Sequence, residues 1–220
     1  WPEGSGGSLG ACAGGAYDDR WAEYGRTLVE NGRGDAYTRL AWEFNGDWYK
    51  WSANDPAAWA RCWRSIVSTV EAIAPGLRWD WTVNRGAGQS LRDARQAWPG
   101  DAYVDIVGVD SYDMWPGVRS EADWQEHYAG EFGLKFWADF AREHGKLLSV
   151  PEWGVYPGTA QAGNNGGDNA LYIRKMVEFF QSMGPQLAYE AYFNEPASYY
   201  AGSLYGPTQN PQAAAAYRSL

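Results

Sequence analysis

Five short apolar runs, over residues 37–42, 77–83, 104–109, 147–151 and 187–193, recur along the chain, and helix-like stretches separate most of them. Strands that alternate with helices cannot pair as hairpins. They imply a parallel sheet with helices packed outside it, either doubly wound or closed into a barrel. The helical signals are specific. Tyr17, Trp21, Tyr24, Leu28 and Val29 share one face; Asp55-Pro56 gives a cap and a first-turn proline before Trp59, Trp63, Ile66, Val67, Val70 and Ile73. Ser120 and Asp123 form a capping-box pattern for a helical stretch running in patches to Gly145. Asp168 is placed to cap the helix bearing Leu171, Met176, Val177 and Phe180, and Asn210-Pro211 opens a terminal Ala-rich helix. Residues 1–15, 84–102 and 156–167 read as loops rich in turn residues.

What stands at the end of each strand chooses between the two architectures. Glu43, Asn84, Tyr112, Glu152 and Asn194 follow the five runs in order. A closed barrel collects such residues at one mouth, whereas an open sheet uses mainly its switch point. The expected fold is therefore α/β, a (β/α)8 TIM barrel. Eight strands and about 250 residues are usual for that fold; five strands in 220 residues imply that the first two to three β/α units are missing from the chain. Residues 1–220 are then expected to be a single catalytic domain, the C-terminal part of a barrel with about strands four to eight.

Two of these strand ends resemble each other. Glu43 leaves its strand among Trp42, Asn45, Trp48 and Trp51, and Glu152 leaves its own beside Trp153 and Gly154. A carboxyl buried among indoles has its charged form disfavoured, which suits a group that must hold a proton. The flat C–H faces of sugar rings stack on indoles, and two opposed carboxyls are what glycoside hydrolysis requires. The chain's 14 Trp and 15 Tyr against 7 Phe favour aromatics with one wet edge, in keeping with a carbohydrate cleft.

Other chemistries lack parts. A net charge of −9, with no cluster of Lys and Arg, excludes nucleic acid as an expected partner. No apolar run approaches membrane-spanning length. No G-x-G-x-x-G or Walker-type loop follows any strand, so nucleotide chemistry has no cradle. The two histidines, His127 and His144, are isolated, so neither zinc nor a histidine triad is expected, and no metal or cofactor is required. Cys12 and Cys62 allow either one disulfide or two buried thiols.

The motifs together resemble glycoside hydrolase family 26, within the clan of retaining barrel enzymes that carry their glutamates on strands four and seven. The resemblance spans the chain. It rests on Arg39, Glu43, Asn45-Gly46 and Trp48, on Glu152-Trp153-Gly154, and on the run from Val107 through Asp110 to Tyr112. It implies a retaining endo-β-glycanase with Glu43 as acid/base and Glu152 as nucleophile. Tyr112 is implied to hydrogen-bond that nucleophile. Trp42, Asn45, Trp48, Trp51, Asn84, Asp110, Tyr112, Trp115 and Trp153 are the candidate substrate contacts. Trp42 departs from the family pattern, which usually has a histidine there; an indole can stack but cannot accept a hydrogen bond. The expected substrate is a plant or microbial β-linked polysaccharide or oligosaccharide: β-mannan, or a related glucan or xylan. The chain is expected to be a secreted monomer. The alternative is a non-catalytic carbohydrate-binding protein on a glycosidase scaffold.

Arg39 and Asp80 would both point inward on neighbouring strands, since residues two apart on a strand share a face, and are expected to pair.

Overall fold

The computed structural model describes residues 7–158 and 164–220. The chain divides into two compact units, one up to Val107 and one from Gly108 onward. The five strands are ordered β1-β2-β3-β4-β5, sequential as consecutive strand-helix units require, and the registers of the first and last pairs are parallel.

In the first unit, α1 (Leu9–Ala13) and α2 (Asp18–Glu30) precede β1 (Tyr37–Arg39), and α3 (Pro56–Glu71) precedes β2 (Arg78–Asn84). The short α1 corrects the expectation of a plain loop over residues 1–15. Ser8 caps it, its Oγ accepting from the Ala11 N–H, and Tyr17 Oη accepts from the Ser8 N–H. Residues 1–6 of that expected loop lie outside the described residues.

Helix α3 is the spine of the unit. Asp55 caps it through the Ala58 N–H, and its Trp59, Trp63, Ile66, Val67 and Val70 are buried. Gly25 of α2 lets that helix lie against Ile73 and Val70, whose atoms would stand 3.4 Å from a side-chain carbon there. Cys12 and Cys62 are joined in a disulfide with a Cα–Cα distance of 5.0 Å, tying α1 to α3. Of the two readings of the cysteines, the bridge is the one observed. Trp79 and Trp81 on β2 are fully buried, and Phe44 packs on Trp59 and Trp81 with ring centroids 4.2 and 4.8 Å away.

β1 ends earlier than the sequence predicts, at Arg39 rather than Trp42. Ala41 and Glu43 adopt positive φ, 49° and 52°, so the chain leaves the strand there. The Arg39 and Asp80 side chains are linked through the Thr82 hydroxyl, which accepts from Arg39 Nε at 3.3 Å and donates to Asp80 Oδ1 at 2.7 Å.

β3 (Ile106–Tyr112) crosses from the first unit into the second and is buried from Ile106 to Ser111, as expected of a strand covered on both faces. In the second unit follow α4 (Glu121–Tyr128), α5 (Leu134–Glu143), β4 (Leu147–Gly154), α6 (Ala170–Met183), β5 (Leu187–Tyr192) and α7 (Pro211–Arg218). β3 and β4 each run three residues beyond their apolar runs, to Tyr112 and Gly154, so Tyr112 and Glu152 lie on strands. The core gathers Trp137 of α5, Leu148 and Val150 of β4, and Tyr172, Ile173 and Met176 of α6. The capping box is present: the Asp123 N–H donates to Ser120 Oγ. Residues 159–163 of the expected 156–167 loop lie outside the described residues.

Asp168 does not cap α6. Asn169 does, its Oδ1 accepting from the N–H groups of Leu171 and Tyr172. Asp168 instead accepts from the N–H groups of Gln212 and Ala213, capping α7 from across the sequence. An acidic side chain is favourable at either N-terminus; only the folded chain decides which one it reaches.

The disulfide closes a loop of 50 residues, so the double substitution Cys12→Ala/Cys62→Ala is expected to lower unfolding stability by about 2–5 kcal/mol. Urea unfolding of the two proteins measures it.

Candidate active site

Glu43 owes its position to an irregular turn that the rest of the first unit holds in place. Left-handed φ at a residue with a side chain costs about 1–2 kcal/mol, and two such residues must be compensated. The Glu43 N–H donates to Thr82 O of β2 at 2.9 Å, and the Glu43 carbonyl accepts from the Gly46 N–H at 3.0 Å. Asn45 is buried and pairs in both directions with the end of β2: its Nδ2 donates to Asn84 O at 2.8 Å, and its Oδ1 accepts from the Asn84 N–H at 2.9 Å. The Asn45 carbonyl accepts from the N–H groups of Ser90 and Leu91 as well. Asn45 and Asn84 are thus the brace of the turn.

The Glu43 side chain is 8% exposed, and the indole N–H of Trp48 donates to its Oε2 at 3.1 Å. Trp48 itself is 46% exposed, so one residue both orients the carboxyl and offers a ring to solvent. The neighbouring indoles are occupied differently. Trp42 donates to Tyr49 Oη at 3.2 Å, Trp51 donates to the Trp42 carbonyl at 2.8 Å, and Trp51 stacks on Tyr49 with centroids 4.3 Å apart. Trp42 and Trp51 also wall an apolar cavity of about 300 Å³ with Trp59, Trp63 and Ile66 of α3, over which Arg39 lies 5.7 Å from the Trp42 ring. Tyr49, which ties these rings together, was not singled out from sequence; its only signal was the density of aromatics around it.

In the second unit, Tyr112 at the end of β3 donates through Oη to Glu152 Oε2 at 2.7 Å. Glu152 is half-buried, whereas Trp153, one residue on and facing the other way, is fully buried. Trp153 donates to Glu190 at 2.5 Å and packs on Phe180, Tyr192 and Tyr217. Its ring therefore has no exposed face. Asp110 is fully buried two residues before Tyr112, and Trp115, just beyond β3, is 56% exposed.

Burial raises the Tyr112 pKa above its ordinary value, and the neighbouring Glu152 charge raises it further. The phenol stays protonated and remains a donor. Tyr192 and Tyr200 are raised in the same direction, again chiefly by burial.

Asp113 is a residue that sequence reasoning missed. It is fully buried, and its carboxylate accepts from the Val118 N–H and from Asn169 Nδ2, both at 2.7 Å, while its carbonyl accepts from the Gly166 N–H. It staples the loop that carries Trp115 to the start of α6. No local pattern could reveal it, because Asn169 is 56 residues away. Among the described residues no group of three or more His, Cys, Asp or Glu could hold a metal ion, and no helix is long and apolar enough to cross a membrane.

Glu43 thus has an indole donor and Glu152 a phenol donor. The model of glycosyl hydrolase family 26 matches residues 18–151, more than half of the chain. The chain belongs to glycosyl hydrolase family 26. It is 26% identical over 219 residues to Endoglucanase H of Acetivibrio thermocellus, covering 89% of this chain and 23% of that protein. It is 24% identical over 152 residues to a mannan endo-1,4-beta-mannosidase of Bifidobacterium adolescentis, covering 67% of this chain and 15% of that one. The fold is that of a modular endo-beta-1,4-mannanase from Cellulomonas fimi, with a TM-score of 0.67 at 19% identity over 93% of this chain and 47% of that one. A family 26 protein from a Muricauda species gives 0.65 at 18% identity, over 96% and 57%. The chain thus spans under a quarter of the length of these curated relatives and about half that of these solved chains.

Two measurements test the site as described. Asn45→Ala removes the partner of the part-buried N–H and carbonyl of Asn84 and is expected to cost about 1–3 kcal/mol in all in urea unfolding. The buried tyrosines set the alkaline limit. Unfolded tyrosine ionises near pH 10, while Tyr112, Tyr192 and Tyr200 keep their protons when folded. Their contribution is fully present below about pH 10 and is lost as the pH rises above it, because the unfolded state then binds fewer protons. Urea midpoints measured above that pH should fall, and Tyr192→Phe should reduce the slope.

Proposed function

We propose that the chain is the catalytic part of a secreted, retaining endo-β-glycanase acting on β-mannan or a related β-linked glucan or xylan. The hydrogen bond from Tyr112 to Glu152, 2.7 Å long, is the observation that carries this reading. A phenol kept protonated beside a half-buried carboxylate fixes one oxygen of that carboxylate and leaves the other for attack. Glu152 is then the nucleophile and Glu43 the acid/base. In the first step a Glu152 oxygen bonds to the anomeric carbon as the glycosidic C–O bond breaks, and the leaving oxygen takes the proton of Glu43. In the second, Glu43 takes a proton from a water whose oxygen attacks the anomeric carbon from the face the leaving group vacated, breaking the bond to Glu152 with net retention.

Trp48 and Trp115, the exposed rings, are the proposed stacking platforms, and Asn45, Asn84 and Asp110 hold the framework around them. Trp42 and Trp51 contribute through the aromatic wall behind Glu43, and Trp153 by anchoring the strand that carries Glu152. The names of the two curated relatives, a mannosidase and an endoglucanase, support a β-linked hexose polymer. The match of the five sequential strands to roughly half of each solved chain supports their assignment as about strands four to eight of a (β/α)8 barrel, with residues 1–220 one catalytic domain and the first two to three units supplied elsewhere. The Cys12–Cys62 bridge supports an oxidising, extracellular setting, where disulfides persist. The active form is proposed to be a monomer.

Glu43→Ala should abolish release of reducing sugar from mannan, mixed-linkage glucan and xylan, while sparing substrates with activated leaving groups, which need little acid assistance; Glu152→Ala should abolish both. The first-formed product should have the β configuration by NMR. Equal loss on both substrate types for Glu43→Ala removes it from the acid role. Binding of every polymer by the unaltered chain without release from any identifies a carbohydrate-binding protein instead.

A further inference from the structure

The second unit buries a tyrosine that the proposed chemistry does not use. Tyr200, in the segment between β5 and α7, is 3% exposed, and its hydroxyl has no hydrogen-bond partner among the described residues. A buried hydroxyl left unpaired is destabilising, so hydrogen bonding does not explain this side chain's place. Its ring contacts do. Tyr200 meets the Tyr112 ring nearly edge to face, with centroids 5.3 Å apart at 78°. Phe193 and Tyr156 also wall Tyr112, at 6.0 and 6.4 Å, and Tyr200 touches both, at 5.3 and 5.4 Å. It is therefore the nearest wall of Tyr112 and the ring on which the other two walls rest.

Two glycines seat it. A methyl group at Gly202 would fall on the Tyr200 ring, and one at Gly154 would fall on its hydroxyl; the next atoms facing Gly154, Tyr192 Cζ and Tyr200 Cζ, stand at ordinary contact distances of 3.4 and 3.5 Å. Backbone bonds from Tyr200 N–H to Ala197 O and from Gly202 N–H to Glu195 O fix the turn, and Tyr192 Oη donates to Gly202 O at 2.7 Å. Gly154 lies two residues beyond Glu152 on β4. The strand that presents the carboxylate thus also provides the gap that receives Tyr200.

We infer that Tyr200 is a positioning residue for the reaction: seated against Gly154, it holds the Tyr112 ring at the angle from which its hydroxyl reaches Glu152. This rests on the reading of Glu152 as nucleophile. It gives the glycine of Glu152-Trp153-Gly154 a physical reason, since a wider residue there would displace Tyr200, and through it Tyr112, without touching Glu152.

The test is covalent trapping of Glu152 with the 2,4-dinitrophenyl 2-deoxy-2-fluoro glycosides of β-mannobiose and β-cellobiose, followed by intact mass and peptide mapping. The final extent of labelling counts folded sites, and the first-order rate constant reports how well the nucleophile is aligned, so a loss of folded protein does not imitate a positioning defect. Gly154→Ala and Tyr200→Leu should each label to full extent but slow the rate by about tenfold or more. Tyr200→Phe introduced into Gly154→Ala removes the clashing atom and should restore the rate to within about threefold of the unaltered chain. Tyr200→Leu added to Tyr112→Phe should slow it no further. Wild-type rates in both single variants, no rescue in Gly154→Ala/Tyr200→Phe, or additive losses with Tyr112→Phe would each overturn the assignment. Failure of both probes to label Glu152 in the unaltered chain would overturn the nucleophile itself, a result independent of the variants.

Discussion

A carboxylate placed in a poorly solvated position must find a donor, and for Glu43 and Glu152 an aromatic side chain supplies one. Glu43 receives the indole N–H of Trp48 and Glu152 the phenol of Tyr112. Lysine or arginine would supply a stronger field, but a cation beside Glu43 would favour its ionised form. An indole or a phenol with a raised pKa donates without adding charge. The abundance of Trp and Tyr over Phe therefore reflects a need for apolar bodies with polar edges as much as a need for core volume.

The supports of the two glutamates differ in kind. Glu43 stands on strained backbone, and the strain is held by long-range bonds: the Asn45–Asn84 pair, the Glu43–Thr82 bond and the burial of Phe44 between Trp59 and Trp81. Positive φ at two residues with side chains persists only where surroundings over-determine it. Glu152 lies on β4, at a shift in its register with β5 between Val150 and Trp153, and adopts no positive φ; a shell of rings surrounds its partner Tyr112. One site is built by hydrogen bonds that hold a turn, the other by packing that holds a donor.

Much of this was legible in the residues. Short apolar runs marked the strands and helical spacing the longer helices, because burial imposes these patterns whatever the fold. Their positions just past apolar runs placed Glu152 and Tyr112 at strand ends, and the rarity of a lone glutamate among indoles marked Glu43. What failed was local chemistry with two possible outcomes. Asp168 carries a valid cap signal, yet it caps α7 while Asn169 caps α6. β1 stops short because Ala41 and Glu43 turn out of it, and nothing in Ala-Trp-Glu forbids a strand.

The sequence by itself determined which residues could be buried, which stretches could be helix or strand, and which few side chains were chemically capable. Those properties follow from side-chain polarity and from the two backbone periods, and both are local. Tertiary structure alone decided partnership: Cys12 with Cys62, Asp113 with Asn169, Asn45 with the end of β2, and Tyr200 with the gap at Gly154. Each joins groups far apart in the chain, and each is selected by the packing of whole elements. A side chain's chemistry states what bond it can make, and only the assembled core states which group is within reach.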